Sequence, residues 1–119
     1  MVQANYVGVW RGTITKSAVG STDRISTPAV PTAHYIDLER VAWYDGDNSG
    51  AWIRAGISSA DSMQIIDETK SPSSDTWYTF SNEWKPITLW PGEYFFVDAS
   101  GISAGDGLKL AYRGIEYTL

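Results

Sequence analysis

The clearest signal of the fold is the stretch GLKLAYRGIEY at residues 107–117. The apolar Leu108, Leu110 and Tyr112 fall on one face of an extended chain, and the charged residues fall on the other. Such alternation predicts a β-strand with one buried face, because successive side chains of a strand point to opposite sides. Gly114 interrupts the pattern, after which the apolar positions continue in the opposite phase. A glycine at a phase break predicts a β-bulge.

Short runs of the same character recur along the chain, separated by clusters of Gly, Ser, Asp and Pro. They are rich in residues that favour strands, and no window of a dozen residues has the apolar spacing of a helix. About eight strands are predicted: Tyr6–Thr15, His34–Tyr44, Ala51–Ile57, Ser62–Glu68, Thr76–Ser81, Ile87–Leu89, Glu93–Ala99 and Gly107–Tyr117. Strands at this spacing predict an all-β, jelly-roll-like antiparallel β-sandwich. A length of 119 residues is room for one domain, so a single domain is expected over 1–119.

Two segments depart from simple alternation. Residues 94–97 read YFFV, so both faces of this strand should be covered, by the core on one side and by another layer or subunit on the other. Residues 16–33 form a long Ser/Thr-rich stretch that contains Pro28 and Pro31. Three interpretations stay open for it: a surface loop, an extended arm ordered against a neighbouring subunit, or a loop that holds a further short edge strand.

The composition narrows the possible functions. The chain is 43% hydrophobic and 13% aromatic, with a net charge of -5, one His and no Cys. Binding to phosphate groups or to anionic membranes needs clustered Lys and Arg, so we expect no nucleic-acid partner and no membrane partner. The chain offers neither a thiolate nor a multi-histidine metal site, and it lacks the glycine-rich motifs that hold phosphates. We therefore expect no cofactor.

Residues 45–50 are the one candidate metal loop in the sequence. Asp45 and Asp47 alternate as in the opening of a calcium-binding EF-hand loop, but the twelfth position, which needs a bidentate carboxylate, is Gly56. A polar hairpin turn explains the two carboxylates more simply, so they are a weak metal candidate. The single imidazole, His34, begins a strand without a nucleophile motif beside it, and we expect no catalytic residues and no enzyme activity.

The surplus of aromatic side chains is the feature that calls for a function. Six Trp and seven Tyr cannot all fill a small core, because each indole is large and its N–H needs a partner. Exposed Trp and Tyr mark binding surfaces, which favours either a carbohydrate module that stacks sugar rings or a protein interface. The candidates for such a surface are Trp52, Trp84, Trp90, Tyr94 and Phe96.

Short motifs follow one another in a particular order through residues 50–118. They are MQIIDE at 63–68, SPSSDTW at 71–77, ITLWPGEY at 87–94, and a final strand after SGISAGDG at 100–107. This order resembles the small β-sandwich cement or decoration proteins, and related virion accessory proteins, of tailed bacteriophages. The sequence departs from that family at Asp75, where paired glycines are more usual, and in the long segment 16–33.

The resemblance implies a structural, non-enzymatic protein on the outside of a phage head. Such proteins tie neighbouring capsid subunits together, so the expected partners are further copies of this chain, as a trimer, and the major capsid protein. The expected location is the capsid exterior of the virion. The alternative is a carbohydrate- or receptor-binding β-sandwich module, of a phage tail or as an accessory to a secreted enzyme.

Overall fold

The computed structural model describes residues 5–47, 51–71, 74–80 and 87–119. Within these ranges the chain forms nine strands and no helix, and therefore no helix long and apolar enough to cross a membrane. The strands are β1 (Asn5–Ser17), β2 (Thr22–Ser26), β3 (His34–Asp45), β4 (Trp52–Ser58), β5 (Met63–Lys70), β6 (Thr76–Phe80), β7 (Ile87–Leu89), β8 (Tyr94–Ser100) and β9 (Gly107–Thr118). All eight predicted strands are present, and each described end lies within two residues of the predicted one. Ser81, the predicted end of the strand that begins at Thr76, lies outside the described residues.

The strands form two antiparallel sheets that pack as a sandwich. The first sheet has the order β1-β9-β3-β6, and β7 pairs with the other end of β3. The second sheet has the order β2-β8-β4-β5. With β6 and β7 taken as one interrupted strand, each sheet has four strands, and every connection crosses between the sheets except the β4–β5 hairpin. This is the jelly-roll arrangement, so the predicted fold class is confirmed.

Residues 16–33 contain the strand that the sequence pattern did not reveal. β2 pairs along its whole length with β8 and forms one edge of the second sheet. The chain beyond it stays attached, because the amide of Thr27 donates to the carbonyl of Phe95 at 2.9 Å. Of the three interpretations left open for this segment, the short edge strand is the one that the structure contains. Its sequence, TDRIS, has one apolar side chain, Ile25, so no alternation is visible.

The core lies between the sheets and is filled mainly by aliphatic side chains and a few rings. Its largest members are Trp43, Phe80 and Phe95, each of which is almost fully buried. The indole N–H of Trp43 donates to the Ser71 hydroxyl at 3.0 Å, which satisfies the polar group of a buried ring. Of the tryptophans in the described residues, Trp43 is the fully buried one, so the surplus of rings lies at the surface.

The bulge that Gly114 predicted lies on the neighbouring strand. The register between β3 and β9 shifts between Leu38 and Arg40, which makes Glu39 the extra residue. A Cβ atom at Gly114 would come within 2.7 Å of the carbonyl oxygen of Asp37. The glycine is therefore required by the close approach of the bulged β3, not by a bulge in its own strand.

The non-alternating strand β8 is covered on both faces, as expected, but no second layer or subunit is needed. Phe95 and Val97 belong to the core, while Phe96 lies on the outer face and is still 0% exposed. The guanidinium of Arg24 lies 4.0 Å from the centroid of the Phe96 ring. A cation over an aromatic face is attractive, so a side chain of β2 covers the ring.

Candidate functional site

Three of the five aromatic residues that the sequence singled out share one face. Trp52, Tyr94 and Phe96 lie on the outer side of the second sheet, where Trp52 is 56% exposed, Tyr94 is half-buried and Phe96 is covered. Trp90 follows β7 in the first sheet and is 51% exposed. Trp84 lies outside the described residues. The rings therefore do not form one surface, and Trp52 is the exposed indole of the second sheet.

Four charged residues form a row across this outer face. Arg24 of β2 lies opposite Asp98 of β8, Asp98 lies opposite Arg54 of β4, and Arg54 lies opposite Glu68 of β5. Residues directly opposite each other in adjacent strands share a face, so the charges alternate in sign from one edge of the sheet to the other. We call Arg24, Asp98, Arg54 and Glu68 the charge ladder.

The charge ladder has a fixed half and a loose half. Asp98 accepts two hydrogen bonds from Arg24, at 2.6 Å from Nε and 2.8 Å from Nη2, and this pairing raises the pKa of Arg24 above its usual value. In contrast, Nε of Arg54 is 3.7 Å from Oε2 of Glu68, and both side chains are more than half exposed. Arg54 and Glu68 can therefore turn to a ligand at little cost, since exposed ion pairs contribute little stability.

Trp52 stands in the adjacent row, beside small side chains. The residues in line with it are Lys70 of β5 on one side and Ser100 of β8 and Thr22 of β2 on the other, and the last two are small enough to leave space next to the indole. A cleft of about 500 Å³ lies here, and its lining combines Thr22, Ser100 and Trp52 with the charge ladder. We call it the Trp52 cleft.

The electrostatics of the Trp52 cleft are balanced. The charge ladder contributes two positive and two negative charges, and Asp23 at the rim is paired with Lys16 at 2.8 Å. Burial raises the pKa of Asp23, but the hydrogen bonds from Lys16 and from two main-chain amides outweigh it and leave the pKa below its ordinary value. The cleft can stack an apolar ring on an indole while donating hydrogen bonds from guanidinium groups and accepting them at carboxylates.

The first sheet carries a separate row of four rings. The ring centroids of Trp90 and Tyr35 are 5.5 Å apart, those of Tyr35 and Tyr117 are 5.0 Å apart, and those of Tyr117 and Tyr6 are 6.3 Å apart. Tyr35 and Tyr117 stack at an interplanar angle of 17°, so their faces are turned to each other. This row stabilises the sheet by cross-strand contacts.

The residues of the candidate metal loop bind main-chain amides. Oδ1 of Asp45 accepts the amide of Asp47 at 2.9 Å, and Oδ2 of Asp47 accepts the amide of Gly107 at 2.6 Å. Among the described residues, no group of three or more His, Asp and Glu could hold a metal ion. Positions 48–50 of this loop lie outside the described residues. His34 is part-buried, and its Nδ1 lies 2.5 Å from Oε2 of Glu116.

Sequence reasoning missed the charge ladder entirely. Arg24 and Asp98 are 74 positions apart, and neither belongs to a local motif. Their proximity follows from the order and register of the strands, which the alternation pattern does not specify.

Comparisons with known proteins assign no family. No family model and no curated protein matches the sequence. One solved structure that matches is TmCBM61 in complex with beta-1,4-galactotriose, at 14% sequence identity and a TM-score of 0.41, over 98% of this chain and 87% of that chain. A likeness this distant says nothing about the ligand of the present chain.

Proposed function

We propose that this protein binds a neutral carbohydrate in the Trp52 cleft. The observation that supports the proposal best is the exposed indole of Trp52 beside the loose pair of Arg54 and Glu68. A sugar ring presents a face of C–H groups and a rim of hydroxyls. The cleft offers a partner to each, because the indole is flat and apolar and the pair both donates and accepts hydrogen bonds.

Stacking on Trp52 contributes through the area that it removes from water. A Trp side chain has roughly 250 Å² of surface, so a sugar that covers half of the exposed 56% buries about 70 Å². At about 25 cal/mol per Å² this contributes roughly 1.7 kcal/mol, or about twentyfold in affinity. The remaining specificity comes from hydrogen bonds.

Hydroxyl groups suit the charge ladder better than charged groups do. A hydroxyl donates to a carboxylate and accepts from a guanidinium, so neighbouring hydroxyls of one ring can bridge Arg54 and Glu68. An acidic sugar would meet Asp98 and Glu68, and a basic sugar would meet Arg24 and Arg54. The balanced charge of the cleft therefore favours a neutral ligand.

The test is calorimetric titration of the protein with a panel of neutral oligosaccharides. Trp52→Ala should weaken binding about twentyfold, because it removes the apolar indole surface that the sugar would cover. Trp90→Ala is the matched control, because it removes an indole of similar exposure, 51%, from the other sheet and should leave affinity unchanged. Absence of binding across the panel, or an equal loss in both variants, would overturn the proposal.

A second candidate function is contact between subunits of a particle, as in capsid decoration. One observation favours it: β1 is an edge strand of 13 residues in which Tyr6, Val7 and Val9 are exposed. Apolar side chains on an open strand edge favour pairing with another chain. Light scattering after gel filtration should then give the mass of a trimer, and the protein should cosediment with phage heads in a centrifugation assay. A monomer that does not cosediment with heads would contradict this second candidate.

A further inference from the structure

Three arginines stand side by side on the outer face of the first sheet. Arg11 of β1 lies directly opposite Arg113 of β9, and Arg113 lies directly opposite Arg40 of β3. All three are exposed, and adjacent strands are about 4.8 Å apart. Like charges directly opposite each other destabilise a sheet, so such a row in a chain of net charge -5 calls for a role. We call Arg11, Arg113 and Arg40 the arginine row.

The arginine row is poorly neutralised by the protein itself. Nε of Arg113 lies 3.5 Å from Oε1 of Glu39, in a pair that is half exposed on both sides. Arg11 and Arg40 form no ion pair with any residue that the structure describes. Asp37, on the same part of the face, accepts a hydrogen bond from Thr88 at 3.1 Å. Among the residues that the structure describes, only Arg113 of the three arginines is therefore held in an ion pair, and that pair is loose.

A hollow with an apolar floor lies beside the arginine row. Its volume is about 360 Å³, and its floor is formed by Ala42 and Ala111, which are opposite each other in β3 and β9. Trp77, which is 46% exposed, lines the side away from the arginines. The ring of Tyr44 packs on Trp77 with centroids 5.1 Å apart, and Nζ of Lys109 lies 5.0 Å from the Tyr44 centroid. The hollow thus has a cationic side formed by Arg40 and Arg113, a small-residue floor and an indole.

We propose that this hollow binds an anionic saccharide, with its carboxylate or sulfate groups on the arginine row and a sugar ring over the floor against Trp77. The guanidinium fork matches carboxylate and sulfate oxygens in a bidentate manner. Because each of three adjacent strands contributes one guanidinium group, the row suits a ligand that carries several negative charges in sequence. A simple inorganic anion would leave the apolar floor and Trp77 unused.

This proposal does not depend on the Trp52 cleft. The two sites lie on different sheets and share no residue. They also differ in charge, because the charge ladder alternates in sign whereas the arginine row is positive throughout. Long nucleic acids are disfavoured as ligands here, since the net charge of -5 repels an extended polyanion beyond the hollow.

The test is calorimetric titration with a galacturonic acid trimer and with a sulfated disaccharide, in low salt. Arg40→Gln removes the charge of an exposed side chain that forms no ion pair within the described ranges, so the fold should be retained. It should weaken binding about tenfold, because hydrogen bonds to charged groups are about twice as strong as neutral ones. Affinity should also fall as salt is added, as expected for exposed charges. Trp77→Ala should weaken binding as well.

Two controls separate this proposal from the previous one. Lys70→Gln removes an exposed cation from the second sheet and should leave the affinity for the acidic sugars unchanged. The Arg40→Gln protein should still bind the neutral sugar of the Trp52 cleft with wild-type affinity. Failure of the acidic titration alone would overturn the arginine-row proposal, whereas failure of the neutral titration alone would overturn the Trp52 cleft.

Titrations with two other ligands can overturn the saccharide proposal. Inorganic sulfate that binds as tightly as the sulfated disaccharide would reduce the hollow to an anion site and overturn the saccharide assignment. A short glutamate peptide that binds as tightly as the galacturonic acid trimer would point to an acidic protein partner instead. No binding of either acidic sugar would also overturn the proposal.

Discussion

Replacing Gly56 by Ala tests the packing in the row beside the charge ladder. Gly56 lies in the middle of β4, between β5 and β8, where the β4–β5 register shifts by one residue. An added Cβ would come within 2.2 Å of the carbonyl oxygen of Gln64 and within 2.9 Å of Cζ of Phe96. The first of these atoms belongs to the main chain of the adjacent strand, so it cannot move by a simple change of rotamer.

The cost of Gly56→Ala follows from this overlap. Contacts below 3.0 Å essentially never occur for a real Cβ, so β5 must move by roughly 0.8 Å. Overpacking of this kind costs about 1–3 kcal/mol. A weakened hydrogen bond between the strands adds about 1 kcal/mol. We expect a loss of about 3 kcal/mol, which lowers the Tm of a domain of this size by roughly 10 °C.

Gly8→Ala is the matched control for this prediction. A Cβ at Gly8 in β1 would meet nothing within 4 Å, so Ala fits there and stabilises the protein by about 0.5 kcal/mol through the unfolded chain. Thermal and urea unfolding of the wild type and both variants, followed by circular dichroism, give the comparison. Equal stabilities of the two variants, or a Gly56→Ala protein as stable as the wild type, would refute the reasoning.

Two further predictions concern the cover and the rim of the Trp52 cleft. Arg24→Ala should lower the free energy of unfolding by about 1–2 kcal/mol in urea titrations, because it uncovers Phe96 and removes the partner of Asp98. Arg24→Lys should recover little of this loss, and full recovery would contradict the bidentate role. Asp23 has a lowered pKa, so its ionised form stabilises the native state above its unfolded pKa of about 3.9, and this contribution is lost as pH falls through the folded pKa. Melting curves should therefore show Asp23→Asn less stable than the wild type at pH 7, with the difference shrinking as the pH is lowered below about 4, and a constant difference would contradict this.

The sequence predicts the strands well because most of them bury one face. Strands such as β3 and β9 are long enough for apolar residues to recur several times at every second position. Their first and last residues were therefore predicted to within one residue. β2 was missed because Ile25 alone marks its buried face. The bulge was placed on the wrong strand, since Gly114 marks where a neighbour bulges and not where its own chain does.

The surface sites were harder to predict than the fold. Aromatic content correctly indicated exposed rings, and Trp52 and Trp90 are exposed. Phe96 looks equally available in the sequence but is fully covered by Arg24, which is 72 positions away. The charge ladder and the arginine row both consist of residues brought together by strand register, and register is a long-range property of the fold. The capsid partners and trimeric state stay predictions.

The most direct test of the central claim is an NMR titration of ¹⁵N-labelled protein with the neutral oligosaccharide that binds most tightly. We expect the indole N–H of Trp52 and the amides of Arg54, Asp98 and Ser100 to shift together, while the first sheet stays unperturbed. Shifts confined to the first sheet, or no shifts at saturating sugar, would contradict carbohydrate binding at the Trp52 cleft.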